Sequence, residues 1–285
     1  MIDLHTHTNE SDGSSTPLEL VDRALAIGLE ALAISDHDTF AGYDQAVEPA
    51  RAYGLDLVCG IELSARLTGK VRTVHVLAYF LRQPPPMEFR GWVTELLTSR
   101  RERNIRLVAK LQSMGVAIEL SEVERLGRSL TGRPHFARVL IQKGYAADYE
   151  DAFRRYIDES APGFVERHAP AISEAAERVA AAGGLAVLAH PIRLGMRDPT
   201  AEEALVKELR EVGLRGIEVY HSDHAPGDVA RYAAIAKKYD LAVTGGSDFH
   251  GDAKPDVALG SGRKGNLAIP RSVLEVLREA SARRI

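Results

Sequence analysis

Six histidines and three carboxylates fall where short apolar runs end. His5 and His7 stand two apart in "IDLHTHTNESDG", and Asp12 follows them before a glycine. Side chains on a strand repeat every two residues, so both imidazoles leave the same face of the first run. His37 lies in "SDHD", Glu62 in "GIELS", His75 in "TVHVLAYF" and His190 in "LAHP". Asp248 and His250 close the set in "GGSDFHG", again two apart. Imidazole and carboxylate donors without cysteine suit zinc, manganese or iron. Nine donors exceed what one ion takes, whereas three ions sharing a bridging carboxylate would use them all. A single strand histidine is ordinarily a core or surface residue; six at run ends, each beside turn residues, are not explained that way.

Such donors meet only if the elements carrying them converge. Four apolar runs come early ("IDLH", "ALAIS", "LDLVCGIEL", "VHVLAYF") and three late ("GLAVLAH", "GIEVY", "LAVTGGS"). Helical stretches separate most of them. In the first, Thr16 is the expected N-cap, Pro17 takes the first helical position and Gly28 ends the helix. Strand and helix in succession predict parallel βα units. Seven strands predict an incomplete or distorted barrel, with its active site where the C-terminal strand ends converge. Residues 83–165 break the rhythm: they begin with "QPPP", carry only helical patterns and close near "APGF". They are expected to be a helical insertion between barrel segments 1–82 and 166–285. "SVLEVLREASARR" reads as a final amphipathic helix.

The 285 residues are 45% hydrophobic and 27% charged, enough for a large core, and the net charge is −4. That balance gives no basic footprint for a stable nucleic-acid complex. An anionic substrate must then be drawn locally, by metals or clustered arginines. Cys59 is the single cysteine, which excludes an intrachain disulfide and fits a reducing compartment. No leader-like segment or membrane span is predicted, so a cytoplasmic location is expected. Neither a P-loop nor a nucleophile elbow suggests another route to hydrolysis.

Taken together, "DLHTHTNESDG", "SDHDT", "GIELS", "AHP" and "GSDFHG" resemble, in order and spacing, the PHP (polymerase and histidinol phosphatase) family. The resemblance implies an α/β fold, a distorted seven-stranded (β/α)7 barrel, with two to three divalent ions. Manganese is expected first, with iron or zinc as alternatives. It also implies phosphoester hydrolysis by metal-activated hydroxide attack. The implied partition gives one ion to His5, His7, Glu62 and Asp248, a second to Glu62, His75 and His190, and a third to Asp12, His37 and His250. Glu62 is the expected bridge, and Glu62, His37 and Asp12 are placed at the reacting centre.

The phrases "TGRPHFARVLIQKG", "PGFVERH" and "GIEVYHSDH" resemble one branch, bacterial nucleotide 3′,5′-bisphosphate phosphatases and short-RNA 5′-to-3′ exoribonucleases. That implies a nucleotide such as adenosine 3′,5′-bisphosphate, or a short oligonucleotide, as substrate. Arg100, Arg103 and Asn104 in "SRRERN" share a helix face. On residue types alone such a face is a solvated surface; the resemblance implies that it touches substrate. Arg133 and His135 are likewise implied to bind phosphate, for which guanidinium forks are geometrically suited. Of His221 and His224, after the sixth strand, His224 is expected to meet a substrate phosphate, while His168 is read as a loop residue. A histidinol-phosphate phosphatase with the same metals is the alternative, and a noncatalytic PHP scaffold is an alternative of another class.

Overall fold

The computed structural model describes residues 1–67 and 73–282. Seven strands form one sheet in chain order: β1 (Ile2–Thr6), β2 (Ala31–Ile34), β3 (Asp56–Arg66), β4 (Thr73–Phe80), β5 (Leu185–Leu188), β6 (Gly216–His221) and β7 (Ala242–Gly246). The sheet curls until its ends approach. The Asp248 N–H donates to the His5 carbonyl at 2.8 Å, and the His7 N–H donates to the Phe249 carbonyl at 2.9 Å. Gly246 permits this approach, because a Cβ there would lie 2.3 Å from His5. The result is a nearly closed barrel.

Ten helices accompany the strands among the described residues: α1 (Pro17–Ala26), α2 (Ala41–Ala52), α3 (Met87–Ser113), α4 (Leu120–Glu124), α5 (Arg133–Gln142), α6 (Tyr149–Ala152), α7 (Ile172–Ala181), α8 (Pro199–Glu211), α9 (Pro226–Lys238) and α10 (Ser272–Ala282). The α1 start follows its sequence signal. The Glu19 N–H donates to the Thr16 hydroxyl, the Thr16 N–H donates to the Glu19 carboxylate, and Pro17 opens the helix. The last residues of the "SVLEVLREASARR" pattern, Arg283 and Arg284, lie outside the described residues.

Strand alternation sorts the apolar residues into two layers. Leu32 and Ile34 of β2 pack with Leu20 and Val21 of α1, in the large core between sheet and helices. Ala31 and Ala33 face the other way, into a smaller core that Leu274 and Leu277 of α10 complete. No described helix is long and apolar enough to cross a membrane.

One expectation needs correcting. β4 runs antiparallel to both β3 and β5, so the sheet is not built of parallel units throughout. The reason is local: too few residues separate Arg66 from Thr73 for a crossover, and only a hairpin can join the two strands. The reversal matters for the site. Ser64, near the end of β3, pairs with His75, near the start of β4, so the two strands deliver their polar residues to the same mouth.

On the way from β4 to β5 the chain forms α3 to α6, joined by loops, and a short π-helix, Phe153–Ile157. A separate apolar cluster forms there, in which Leu107 and Leu111 of α3 meet Phe136 and Leu140 of α5. The first half of α3 does something else: Phe89, Trp92, Val93 and Leu96 join the barrel's large core. At 27 residues α3 is about 40 Å long, enough to belong to both.

Candidate metal centre

Glu62 is the hub of the mouth. It is 1% exposed, and five imidazoles surround its carboxylate. His75 Nδ1 and His190 Nε2 lie 2.9 and 2.8 Å from Oε1. His5 Nε2, His7 Nε2 and His37 Nδ1 lie 3.3, 3.2 and 3.2 Å from Oε2. Asp248 Oδ1 is 3.3 Å from His7 Nε2 and 3.5 Å from His5 Nε2. Asp12 completes the cluster, with Oδ1 3.3 Å from His250 Nε2 and Oδ2 3.6 Å from His37 Nε2. All nine residues expected from the sequence are therefore together.

These donors fit metal ions better than they fit one another. Atoms each about 2.1 Å from a shared ion must stand roughly 3 Å apart, as they do here. The hydrogen bonds at the rear of the rings fix where the lone pairs point. His5 Nδ1 donates to Glu218 Oε1 at 2.9 Å, and His250 Nδ1 donates to the Asp248 carbonyl at 2.8 Å. Each leaves a bare Nε2 aimed at carboxylates, an arrangement typical of ligating histidines. His5 Nε2, His7 Nε2 and His37 Nδ1 are buried and without a hydrogen-bond partner. A divalent cation between nitrogen and carboxylate supplies what each lacks.

The electrostatics agree. Burial opposes charge on His5, yet Glu218, Glu62 and Asp248 push its pKa well above the imidazole range. Burial opposes charge on His7 too, and Asp248 and Glu62 nevertheless hold it up at about 9. The field that draws protons there draws cations. Burial also works against ionised Glu62, but His37, His75 and His5 keep its carboxyl well below the usual range.

Among the described residues, four groupings have donor atoms close enough for an ion: His5, His7, Glu62 and Asp248; His37, Glu62 and His75; His7, Asp12, His37 and His250; and His5, Glu218 and His221. The first matches the implied partition. The third keeps its residues and adds His7, whereas the second has His37 in place of His190, which stands beside His75 at 3.3 Å. The fourth is better read as support. Glu218 already accepts the His5 Nδ1 proton and the His190 N–H, the latter at 2.7 Å. His221 Nδ1 accepts the Asp223 N–H at 3.0 Å, so its Nε2 carries the proton and points to Asp248 Oδ2 at 3.6 Å.

Strained backbone accompanies this precision. Asp38, His190 and Asp248 have φ of +47°, +26° and +56°, a region that side chains other than glycine seldom adopt.

A cavity of about 830 Å³ opens over the cage. Its far wall comes from the helical region and carries Arg100, Arg103, Arg133 and His135. The Gly132 N–H donates to His135 Nδ1 at 3.1 Å, which leaves the Nε2 proton for an anion. Two expected substrate residues are not brought here. Asn104 is buried, and its amide donates to the Thr131 carbonyl at 2.8 Å, tying α3 to the loop before α5. His224 is folded back beneath the mouth: its Nδ1 donates to the Val219 carbonyl at 2.8 Å and its ring lies tilted against Tyr232, the centroids 4.9 Å apart. His168 is exposed on a loop, as expected.

Sequence reasoning passed over Glu218, Asp38, Arg167, Arg193 and Lys254. Arg193 and Lys254 both reach Asp248 Oδ2, at 2.8 and 2.7 Å. Glu218 had a signal, as a lone charge in the apolar run "GIEVY".

The comparisons with known proteins follow the same lines. The model of the PHP domain matches residues 3–165. The 5′-3′ exoribonuclease of Haemophilus influenzae is 34% identical over 252 residues, covering 87% of this chain and 89% of that protein. The 3′,5′-nucleoside bisphosphate phosphatase of Chromobacterium violaceum is 33% identical over 251 residues, covering 87% of each. A solved structure from Bifidobacterium adolescentis, assigned as a metal-dependent phosphoesterase, superposes with a TM-score of 0.82 at 32% identity, covering 100% of this chain and 96% of that one. With the matched segment spanning more than half its length and its histidine and carboxylate cage intact, this chain belongs to the PHP domain family.

Proposed function

We propose that this protein is a metal-dependent phosphoesterase that removes a terminal phosphate from a 3′,5′-nucleoside bisphosphate, with the end of a short RNA as a second substrate of the same site. The observation that carries the reading is Glu62, whose two oxygens face separate groups of imidazoles beneath a cavity with an arginine-rich far wall. The two curated relatives described above are named for these two activities.

His5, His7, Glu62, Asp248, His37, His75, Asp12, His250 and His190 would hold two to three ions. Manganese is our assignment, because oxygen and imidazole donors without sulfur suit it. Once bound, such ions supply charge neutralisation at the phosphoryl oxygens and a more acidic attacking water. The chain's own residues do the rest. Arg100, Arg103, Arg133 and His135 receive a second phosphate across the cavity and orient the reacting one over Glu62. Arg193 and Lys254 hold the outer oxygen of Asp248, with His221 Nε2 3.6 Å away from it, so that its inner oxygen faces His5 and His7. We place the enzyme in the cytoplasm.

The test is phosphate release with manganese, iron or zinc added, comparing adenosine 3′,5′-bisphosphate, a 5′-phosphorylated trinucleotide and histidinol phosphate. Release from the first two is expected, in proportion to bound metal. A metal-loaded protein that acts only on histidinol phosphate, or on none, would overturn the reading.

A further inference from the structure

We infer that Arg167 is a further phosphate-binding residue and that Asp38 is the positioning residue that aligns it with Arg100. The inference rests on the phosphoesterase reading and says how its second phosphate is gripped.

Asp38 follows His37 in sequence, yet its carboxylate turns away from the cage. Its Oδ1 accepts the Ser64 N–H at 2.9 Å. Its Oδ2 receives two guanidiniums, Nη2 of Arg100 and, at 3.0 Å, Nη1 of Arg167. None of its ion pairs involves a histidine among the described residues. Its side chain is fully buried, and its left-handed backbone fixes the direction in which it points. Ser64 braces the same pair: its hydroxyl accepts from Arg100 Nη2 at 3.0 Å, and its carbonyl from Arg167 Nη2 at 3.4 Å.

The two arginines arrive from opposite directions. Arg100 projects from the middle of α3, and Arg167 from the segment that returns to the barrel, 129 residues beyond Asp38. Both line the cavity beside Arg103 and Arg133. Arg138 lines the same wall, so five guanidiniums there face one lining carboxylate, Glu159, with Asp38 buried behind Arg100 and Arg167. Burial, and then Arg100, draws the Arg167 pKa down to about 10 against the pull of Asp38. The wall is therefore short of anions. Among the described residues, Arg100 Nε is buried without a hydrogen-bond partner, as is Arg133 Nη1.

A structural tie between insertion and barrel would need only one arginine on Asp38. Two on one oxygen leave the remaining N–H groups of both forks in fixed positions, the geometry a phosphate takes. Free arginine side chains would lose rotamer freedom on binding; here Asp38 has already removed it.

The experiment uses the full chain. Steady-state kinetics of Arg167→Ala and Asp38→Asn are compared on adenosine 3′,5′-bisphosphate and on p-nitrophenyl phosphate, which has no second phosphate. Metal content is measured for each variant. For both variants KM for the bisphosphate should rise by about tenfold or more, with kcat changed far less. The loss in kcat/KM should be at least about tenfold greater for the bisphosphate than for p-nitrophenyl phosphate. Arg167→Lys should recover less than half of it, because a point charge does not replace a fork. Equal losses on both substrates, or none, would make the two residues mere fasteners and overturn the proposal. Calorimetric binding of the bisphosphate to chelator-treated protein gives a second readout: Arg167→Ala should bind about tenfold more weakly than wild type, and equal affinity also overturns it. If the wild type binds through Arg167 yet releases no phosphate with any metal, the phosphoesterase reading fails and this inference stands.

Discussion

The metal cage and the arginine wall face each other across one cavity and are built on opposite principles. In the cage the donors come from strands and the turns after them, with Glu62 well inside β3 and His75 near the start of β4, and carboxylates and imidazoles lie close enough to compensate each other once cations enter. The wall comes from a long helix, a short helix start and a returning segment, and leaves guanidiniums in excess of acids. One region waits for positive charge and the other for negative. With cations in the cage, the proposed substrate with two phosphates would meet both regions, and one with a single phosphate only one of them.

The contrast can be broken most severely at its hub. Glu62→Gln removes the charge that five imidazoles share; bound metal should fall below one ion per chain by elemental analysis, and phosphate release by roughly a thousandfold or more. Bisphosphate binding to the chelator-treated variant should persist, because the wall is untouched. The converse cut is Phe136→Ala, in the core that supports the wall. Emptying this fully buried site should cost about 3–5 kcal/mol, loosening the helical region in hydrogen exchange while the cage still binds metal. If the two regions instead unfold together, they are one cooperative unit. Glu218→Gln tests support behind the cage: metal affinity should drop about 10- to 100-fold, measured by competition with a chelator. The smallest effect belongs to Asn104→Ala. Its amide holds the Thr131 carbonyl, so stability should fall by about 1 kcal/mol in thermal unfolding while KM stays nearly constant. A large KM change with unaltered stability would return Asn104 to the substrate.

The same contrast explains what the sequence could reveal. The cage was legible because strand ends are local: His5 and His7 announce their shared face by spacing, and Asp248 and His250 do the same. The wall was only half legible. Arg100 and Arg103 were marked by helical spacing, but that spacing cannot say that Asn104 turns aside to a backbone carbonyl. Asp38 and Arg167 are 129 residues apart, and no local pattern records their meeting. β4 was found, but its run against both neighbours was not, since an apolar run reads the same either way. His224 was placed at the mouth because it follows a strand; a turn later its ring is already beneath it.

The long helix α3 has a bearing on how such a pocket can be altered. It is a gauge bar, seated in the barrel core through Phe89 and Leu96 and in the other core through Leu107 and Leu111, with Arg100 and Arg103 between. Adding one residue after Leu96 would swing everything beyond it by about 100° and take the guanidiniums out of the cavity. Only a whole turn, three or four residues, would keep them aimed inward, while moving the far core by about 5 Å. On the proposed reading, the reach from the reacting phosphate to the second one would be stepped rather than continuous, and loops at the far end of the helix could vary without changing it.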